Sequence, residues 1–397
     1  MAGASTWTVE ADGSGDFVHV SDGLFSASAG DTVLVGAGTY APSTGEELPY
    51  YFATGVTLQG AGADLVVLDA EGEPTFGRIA NENVTISGVS LTGATDTALW
   101  ASVNDDDSPL GGVLLDGVVI AGNSGECVGG LYSNLHTDLV DVRFEGNTAR
   151  GCGTSGKGTT DLMGPGLGRV VDLEVLATHT TTGWLCMSVS NRSAGPGACV
   201  VDGLWVIGGP AYIGGCDVSN AAFLGIMGDY AVVVTDGWLE NALLVGIVAN
   251  TYVLSADNVR NTIIAHNQGP GSLVGSQAVA NLVYDNTGGD WADTDWTGTL
   301  GNISADPLFR DFSDDGDWTN DDLRLATGSP AIDAACGDFP ATDIDGIPRP
   351  QDGDGDGVYR ADMGPWEWGL VDEDEDGWYL EGGDCDDTDP SIHPGAT

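Results

Sequence analysis

Four stretches of similar pattern decide the fold: NAAFL at 220–224, NALLV at 241–245, NTIIA at 261–265 and NLVYD at 281–285. Their leading asparagines are 21, 20 and 20 residues apart, and each precedes a short apolar run that favours a β-strand. Asparagine suits a turn because it tolerates the left-handed backbone region, and its amide can bond the same residue of the next unit. A repeat of about 20 residues with one such turn predicts a parallel β-helix.

Weaker copies of this pattern precede the regular stretch. Glycine, asparagine and aspartate separate short β-rich runs at 84–86, 113–115, 118–120 and 204–207. Longer gaps between these units imply loops that leave the coil, and comparable turns are marked by Asp116, Asp141, Asp172 and Asp202. A β-propeller is the rival architecture, but its blades repeat at about 40 residues or more. The spacing therefore favours a solenoid.

Three parts of the chain resemble known families. Residues 12–17 (DGSGDF), with 30–35 and 38–40, resemble the first coil of right-handed β-helix proteins related to pectate lyases and pectin methylesterases. Residues 306–364, which contain DPLF, GSPAID and DIDG, are similar to the closing region of choice-of-anchor Q proteins, predicted surface or secreted β-helices. Residues 372–395 resemble an Asp-rich metal-binding motif of bacterial surface proteins. The resemblance implies a right-handed β-helix displayed outside the cell.

Pattern and resemblance together predict an all-β chain in three regions. A right-handed parallel β-helix solenoid is expected over residues 1–300, and a C-terminal β-rich cap with a DxDxDG loop over 301–368. An acidic calcium-loop tail is expected over 369–397, where it would begin a repeat region if the native chain continues.

Charge excludes several classes of partner. The 397 residues carry a formal net charge of −49 with only 11 lysines and arginines, so the basic face that nucleic acid requires is missing. Anionic membrane surfaces are disfavoured for the same reason. Hydrophobic residues make up 42% of the chain, enough for a large core, yet no apolar stretch is long enough to span a bilayer.

The expected location is extracellular. Weak acidic calcium loops need the millimolar calcium found outside cells, so we expect a secreted or cell-surface protein. The first residues lack the charged start and apolar centre of a signal peptide, and we expect a native leader to precede this numbering. The seven cysteines form no CxxC or zinc-like cluster, which predicts disulfides or buried thiols; their odd number leaves at least one without an internal partner, and the spacing does not reveal the pairing. They are Cys127, Cys152, Cys186, Cys199, Cys216, Cys336 and Cys385.

Alternating aspartates predict a calcium site in the C-terminal part. Asp352, Asp354 and Asp356 alternate with glycines, which allow the sharp turn that brings their oxygens round one hard cation. Asp362 falls at position 11 of that loop and Met363 at position 12, so the bidentate glutamate of an EF-hand is absent. A flexible acidic turn without metal is the alternative.

A second group of carboxylates predicts a further Ca²⁺ loop in the tail. Its candidate ligands are Asp372, Asp374, Asp376, Asp384, Asp386, Asp387 and Asp389. If these loops order only with metal, the binding energy becomes folding energy for the tail.

Candidates for catalysis are few. β-Helix polysaccharide lyases use an arginine or lysine base beside a calcium-bound uronate, and this chain has a single lysine, Lys157. Its glycine spacing does not form a phosphate-binding loop. Asp161, His179 and Arg192 lie on segments that could reach the same face, but sequence fixes no geometry between them. The aspartate motifs of β-helix glycosidases do not occur as a set.

We therefore predict a non-catalytic, calcium-stabilised surface module for adhesion, glycan contact or envelope assembly. One alternative is a calcium-dependent polysaccharide lyase or related glycan-degrading enzyme, and another is a fibre-forming structural protein. The expected partners are polysaccharides or cell-envelope components, with self-association through the coil ends. Most tryptophans are expected to pack in the core or the cap, although exposed ones could stack on sugars: Trp184, Trp205, Trp238, Trp291, Trp296, Trp318, Trp366, Trp368 and Trp378.

Overall fold

The computed structural model describes residues 3–80, 83–102, 112–125, 128–133, 135–149, 159–164, 167–176, 185–190, 199–292, 294–313, 315, 320–353, 356–368 and 391. One short α-helix, Val20–Ser26, and one 3₁₀ turn, Pro42–Thr44, interrupt a chain of strands. The strands span Thr6–Val9, Thr32–Val35, Gly38–Tyr40, Tyr50–Tyr51, Thr57–Gly60, Val66–Asp69, Gly77–Ile79, Val84–Ser87, Ser90–Thr92, Leu99–Ala101, Val113–Ala121, Ser124–Gly125, Leu131–Ser133, Thr137–Glu145, Thr148–Ala149, Thr159–Gly164, Leu167–Leu176, Leu185–Ser190, Val200–Ile207, Ala211–Gly214, Asp217–Leu224, Met227–Val245, Val248–Arg260, Ile263–Ala265, Leu273–Val274, Gln277–Val279, Leu282–Tyr284, Phe309–Asp311 and Asp322–Leu325.

The strands stack in register into a right-handed parallel β-helix with three faces. Sheet A begins with Thr6–Val9 and ends with Gln277–Val279. Sheet B begins with Gly38–Tyr40 and ends with Leu282–Tyr284, and longer strands such as Val113–Ala121 run from sheet A into sheet B. Sheet C begins with Tyr50–Tyr51 and ends with Leu273–Val274. The predicted fold class is confirmed.

In the later coils a single left-handed residue turns the chain from sheet A into sheet B. Asn220, Asn241 and Asn261 hold this corner with φ of 49°, 48° and 52°, as the sequence predicts. In the next coil the corner residue is Ala280, with φ of 52°, and Asn281 lies one position later. The prediction that Asn281 occupies the corner is therefore wrong.

Amide-to-amide bonds between coils come from other asparagines. Buried pairs donate Nδ2 to Oδ1 of the next coil at 2.9–3.0 Å: Asn123 to Asn147, Asn267 to Asn286, and Asn281 to Asn302. The corner asparagines instead donate outward, to backbone carbonyls of the C-terminal segment or, for Asn220, also to Asp202. The predicted bonding along the corner is wrong, because an outward amide meets that segment before it meets the next coil.

Apolar side chains fill the interior and its ends. Val, Leu, Ile and Phe side chains of all three sheets form one continuous buried core. The helix Val20–Ser26 packs Val20 and Leu24 on the first coil, and Trp291 and Trp296 pack against the core at the last coil. Cys199 and Cys216 are buried and form a disulfide.

The segment 305–368 lies on the outer flank of the last coils. Leu323, Leu325, Ala331 and Met363 pack on sheet B, where they form a second apolar cluster with outward residues of its last four strands. Trp205 of the solenoid meets Trp366 edge-on, with ring centroids 5.6 Å apart. The described residues of this segment thus contact sheet B and the adjoining corner rather than sheet C. Within the described residues, no helix is long and apolar enough to cross a membrane.

Candidate functional site

Sheet C carries a row of outward side chains that strand register places one above another. Tyr51, Arg78, Trp100 and Tyr132 are partners in successive coils, and each points outward between two buried neighbours. We call these four residues the outer row. The register continues through Met163, Ser188, Tyr212, Val233, Ser255 and Val274.

The outer row presents aromatic surface to solvent on a fixed frame. Tyr51 is 68% exposed and Trp100 is 40% exposed, whereas the residues on either side of each are buried. The Trp100 ring stacks on Tyr132, with centroids 4.4 Å apart and planes 26° apart. Neighbouring parallel strands lie about 4.8 Å apart, so the row extends about 14 Å along the solenoid axis.

A cavity adjoins the first residue of the row. It measures about 420 Å³ and lies between the helix Val20–Ser26 and residues 47–51, with Phe25 and Tyr51 among its walls. Phe25 is 93% exposed. The aromatic surface therefore continues from the outer row to the N-terminal end of the solenoid.

A second groove lies at the corner between sheets A and B. It measures about 670 Å³, and its polar walls include Asp64, Asp116, Asp141 and Arg143. The arginine is already paired with Glu145. The groove therefore offers mainly carboxylates and no stacking surface, and the outer row is the stronger candidate for contact with a polymer.

The candidate catalytic residues lie mostly outside the described part of the chain. Lys157, His179 and Arg192 are outside it. Asp161 lies on the sheet C strand Thr159–Gly164, two residues before Met163, a later member of the same register. The prediction that these four residues share a face stays a prediction.

The DxDxDG loop offers one carboxylate that suits a cation. Asp352 accepts the amide of Gly357 at 3.0 Å through Oδ2, whereas its buried Oδ1 has no hydrogen-bond partner among the described residues. Asp356 accepts from the amide of Val358 at 2.7 Å and from Arg360 at 3.3 Å. Asp354 lies outside the described residues. Asp352 thus fits an oxygen ligand of calcium, and Asp356 would have to leave Arg360 to become one.

Asp362 faces the interior of the C-terminal segment. Its Oδ1 accepts the amide of Asp333 at 2.7 Å and its Oδ2 accepts the amide of Trp368. Burial, followed by the nearby charge of Glu367, raises the pKa of Asp362 to about 8. Both oxygens therefore serve the backbone of this segment.

No described group of three His, Cys, Asp or Glu side chains is close enough together to hold a metal ion. The second predicted set of ligands lies outside the described residues: Asp372, Asp374, Asp376, Asp384, Asp386, Asp387 and Asp389. The calcium sites remain predictions.

Sequence reasoning did not find the outer row. Its members are separated by 27, 22 and 32 residues, because the loops between coils differ in length, and no period links them. The signal available in the sequence was local: a large side chain stands between two small or apolar ones, as in Leu99-Trp100-Ala101 and Leu131-Tyr132-Ser133, and the structure buries those neighbours. The tryptophans singled out by sequence include several that are partly buried against apolar clusters, namely Trp205, Trp291, Trp296, Trp366 and Trp368.

Comparison with known proteins finds distant structural neighbours. No family model matches the chain and no curated protein matches it. Pectate lyase Pel9A aligns with a TM-score of 0.41 and 12% identity, over 92% of this chain and 97% of that one. Pectin methylesterase from carrot gives 0.32 and 12%, over 76% and 88%, and the PL6 family alginate lyase AlyGC gives 0.34 and 14%, over 82% and 57%. The fold assignment rests on the strand register described above, and these low scores add no argument about activity.

Proposed function

We propose that this chain is a secreted or cell-surface module that holds a polysaccharide along the outer row of sheet C without cleaving it. One observation carries the proposal: Tyr51 and Trp100 expose ring surface in register on the same face, with Arg78 on the coil between them and half-buried Tyr132 on the coil after Trp100. Binding sites for organic ligands combine aromatic surface with a few placed polar groups, and the outer row has both. Attachment to a polymer would serve adhesion or envelope assembly.

The strands that carry the outer row hold its side chains in place, which favours binding. Buried neighbours on both sides fix each strand, and the stack on Tyr132 holds the Trp100 ring, so little side-chain freedom is lost when a ligand binds. A solenoid repeats the same spacing along its axis, which suits a ligand that is itself a linear repeat.

The test is a binding assay on a panel of neutral and acidic polysaccharides, by affinity electrophoresis and calorimetry. Trp100→Ala is expected to weaken binding at least tenfold for every polysaccharide that the protein binds. Tyr359→Ala is the matched control, because Tyr359 is 67% exposed but lies in the C-terminal segment. Equal binding by Trp100→Ala and the wild-type protein would contradict the proposal.

A polysaccharide lyase that acts on the same face is the second candidate. The position of Asp161 on a sheet C strand favours it, together with the sequence positions of Lys157, His179 and Arg192 in the neighbouring segments. An assay for unsaturated products with calcium present distinguishes the two functions. Product release that disappears in Lys157→Ala or Arg192→Ala would establish the lyase and overturn the non-catalytic module.

We also propose that calcium stabilises the C-terminal segment through the DxDxDG loop. The buried, unpartnered Oδ1 of Asp352 supports this proposal, because a buried carboxylate oxygen without a donor is costly unless a cation neutralises it. Calcium would bring oxygen coordination from Asp352, Asp354 and Asp356 to this loop.

A further inference from the structure

We propose that Arg78 makes the outer row selective for polysaccharides that carry carboxylate or sulfate groups. This inference rests on the proposed glycan contact and specifies its ligand class. It follows from the pairing state of the arginines, the charge of the chain and the position of Arg78 in the register.

Arg78 differs from the other arginines in its partners. The structure describes seven arginine side chains, and six of them bond to a carboxylate or a backbone carbonyl. These contacts are Arg143 with Glu145, Arg260 with Glu240, Arg310 with the carbonyl of Leu325, Arg324 with Asp322, Arg349 with Glu367 and Arg360 with Asp356. Arg78 is exposed and has no ion pair, hydrogen bond or ring contact with the described residues.

The lack of a partner for Arg78 among the described residues is informative because the chain is highly acidic. With 60 acidic residues and 11 basic ones, a surface guanidinium has many carboxylates available as partners. Arg78 instead stands between Tyr51 and Trp100, two uncharged side chains, on sheet C. Its five N–H donors are therefore available to an external acceptor.

The spacing fits one acidic sugar unit. Each neighbour in the row is one coil away, about 4.8 Å, so a ring stacked on Trp100 or Tyr51 carries its substituents past the guanidinium. A planar guanidinium binds carboxylate and sulfate oxygens through two parallel hydrogen bonds. Aromatic stacking would then supply contact with the sugar ring, and Arg78 would select the acidic one.

Long-range repulsion restricts how such a ligand binds. The net charge of −49 repels an acidic polymer at low ionic strength, and salt screens this repulsion beyond about 10 Å at 0.1 M. Binding of the acidic polymer is therefore expected to strengthen as salt rises from about 0.01 M to 0.1 M. At higher salt, the affinity of the wild-type protein for this polymer should approach that of a variant without Arg78.

The experiment compares Arg78→Gln, Arg78→Lys and Trp100→Ala on paired ligands with the same backbone. The pairs are polygalacturonate with its full methyl ester, and dextran sulfate with dextran, all measured with chelator present to exclude bridging cations. Arg78→Gln is expected to weaken binding of the acidic member about tenfold, equivalent to about 1.4 kcal/mol, and to leave the neutral member unchanged. Arg78→Lys should retain part of the affinity, because it keeps the charge but loses the planar fork.

Arg143→Gln is the matched control, since it removes one surface arginine outside the outer row. A loss equal to that of Arg78→Gln would show an effect of net charge and overturn the inference. Wild-type affinity of Arg78→Gln for both acidic ligands, with binding lost in Trp100→Ala, would overturn the selectivity but keep the glycan contact. Unchanged binding in Trp100→Ala would contradict the proposed function itself. A loss confined to one acidic pair identifies carboxylate or sulfate as the group recognised.

Discussion

Replacement of Asn241 is expected to release the C-terminal segment from the flank of the solenoid. Asn241 holds the corner with φ of 48°, its side chain is fully buried, and its Nδ2 donates to the carbonyls of Asp362 at 3.0 Å and Gly364 at 3.3 Å. The same side chain therefore sets the turn of the coil and fastens the segment that packs outside it.

The size of the effect follows from these contacts. Two net hydrogen bonds contribute about 1 kcal/mol each to the attachment, whereas the strain of alanine at a left-handed position, roughly 1 kcal/mol, is borne by the coil whether the segment is attached or released. Both carbonyls also accept from Arg349, at 3.5 Å and 2.9 Å, so their oxygens keep a partner and no further desolvation cost arises. Asn241→Ala should thus destabilise the attachment by about 2 kcal/mol, which raises its opening constant about 30-fold.

Asn241→Asp tests the cause more sharply. Aspartate has nearly the same shape and also tolerates the left-handed region, but it presents an acceptor to two carbonyl oxygens. The substitution also buries a negative charge, because one carboxylate oxygen takes the place of Asn241 Oδ1, an atom that has no hydrogen-bond partner in the described structure. We expect a loss of at least about 3 kcal/mol, greater than that of alanine.

Hydrogen exchange at two amides measures the attachment directly. Gly364 donates to the carbonyl of Asn261 at 2.8 Å and the amide of Cys336 donates to Oδ1 of Asn261 at 2.9 Å, so both lose protection when the segment opens. Asn250→Ala is the control, because its exposed amide bonds only Asp229 and its loss should cost under about 0.5 kcal/mol. Wild-type protection in Asn241→Asp would refute the assignment of the amide as donor.

Three further predictions concern other parts of the molecule. Chelation should lower the thermal midpoint of the wild-type protein and of the control Asp64→Asn, but not that of Asp352→Asn, because a cation that binds only the folded loop stabilises the folded state. Equal responses in all three proteins would contradict a calcium site in this loop. His19 bonds the carboxylate of Asp22 and the carbonyl of Thr44, both at 3.1 Å, and the bond to Asp22 above all raises its pKa above 6.5. The stabilisation from these contacts is therefore complete below the unfolded pKa and lost as pH rises through the folded pKa, so the protection factors of the Gly23 and Ala27 amides, which correct for base-catalysed exchange, should fall above about pH 6.5 in the wild type and not in His19→Gln. Gly88→Ala should lower the free energy of unfolding by about 2–4 kcal/mol, because φ of Gly88 is 62° and a Cβ would lie 2.7 Å from the carbonyl oxygen of Gly60. Gly72→Ala, where φ is 92° and a Cβ would have no atom within 4 Å, should lower it by only about 1 kcal/mol. Similar denaturation midpoints for the two variants would exclude the close approach to Gly60 as the cause.

Sequence predicts the solenoid where the loops are short and fails where partners come from distant parts of the chain. Asn220, Asn241 and Asn261 are recognisable because each coil there is one repeat long and the corner needs a left-handed residue. Ala280 takes that position in the next coil, because the neighbouring strands already fix the bend and Asn281 can then bond inward to Asn302. The outward role of the corner amides depends on residues about 75 to 123 positions later, which no local pattern contains.

Substitutions in the core or at the corner are expected to affect stability, whereas substitutions in the outer row are expected to affect binding. This difference makes the glycan proposals testable. Side chains at the corner and in the core touch adjacent coils, so their loss disturbs packing that each coil shares with its neighbours. Members of the outer row face solvent, and Trp100 stacks on Tyr132, while their flanking residues Tyr50, Ile79, Leu99 and Leu131 are buried. Substitution of Arg78 or Trp100 should therefore leave unfolding nearly unchanged, within about 0.5 kcal/mol for Arg78. Binding lost at unchanged stability would then be a property of the face itself, and a matched fall in stability would assign these residues to the fold instead.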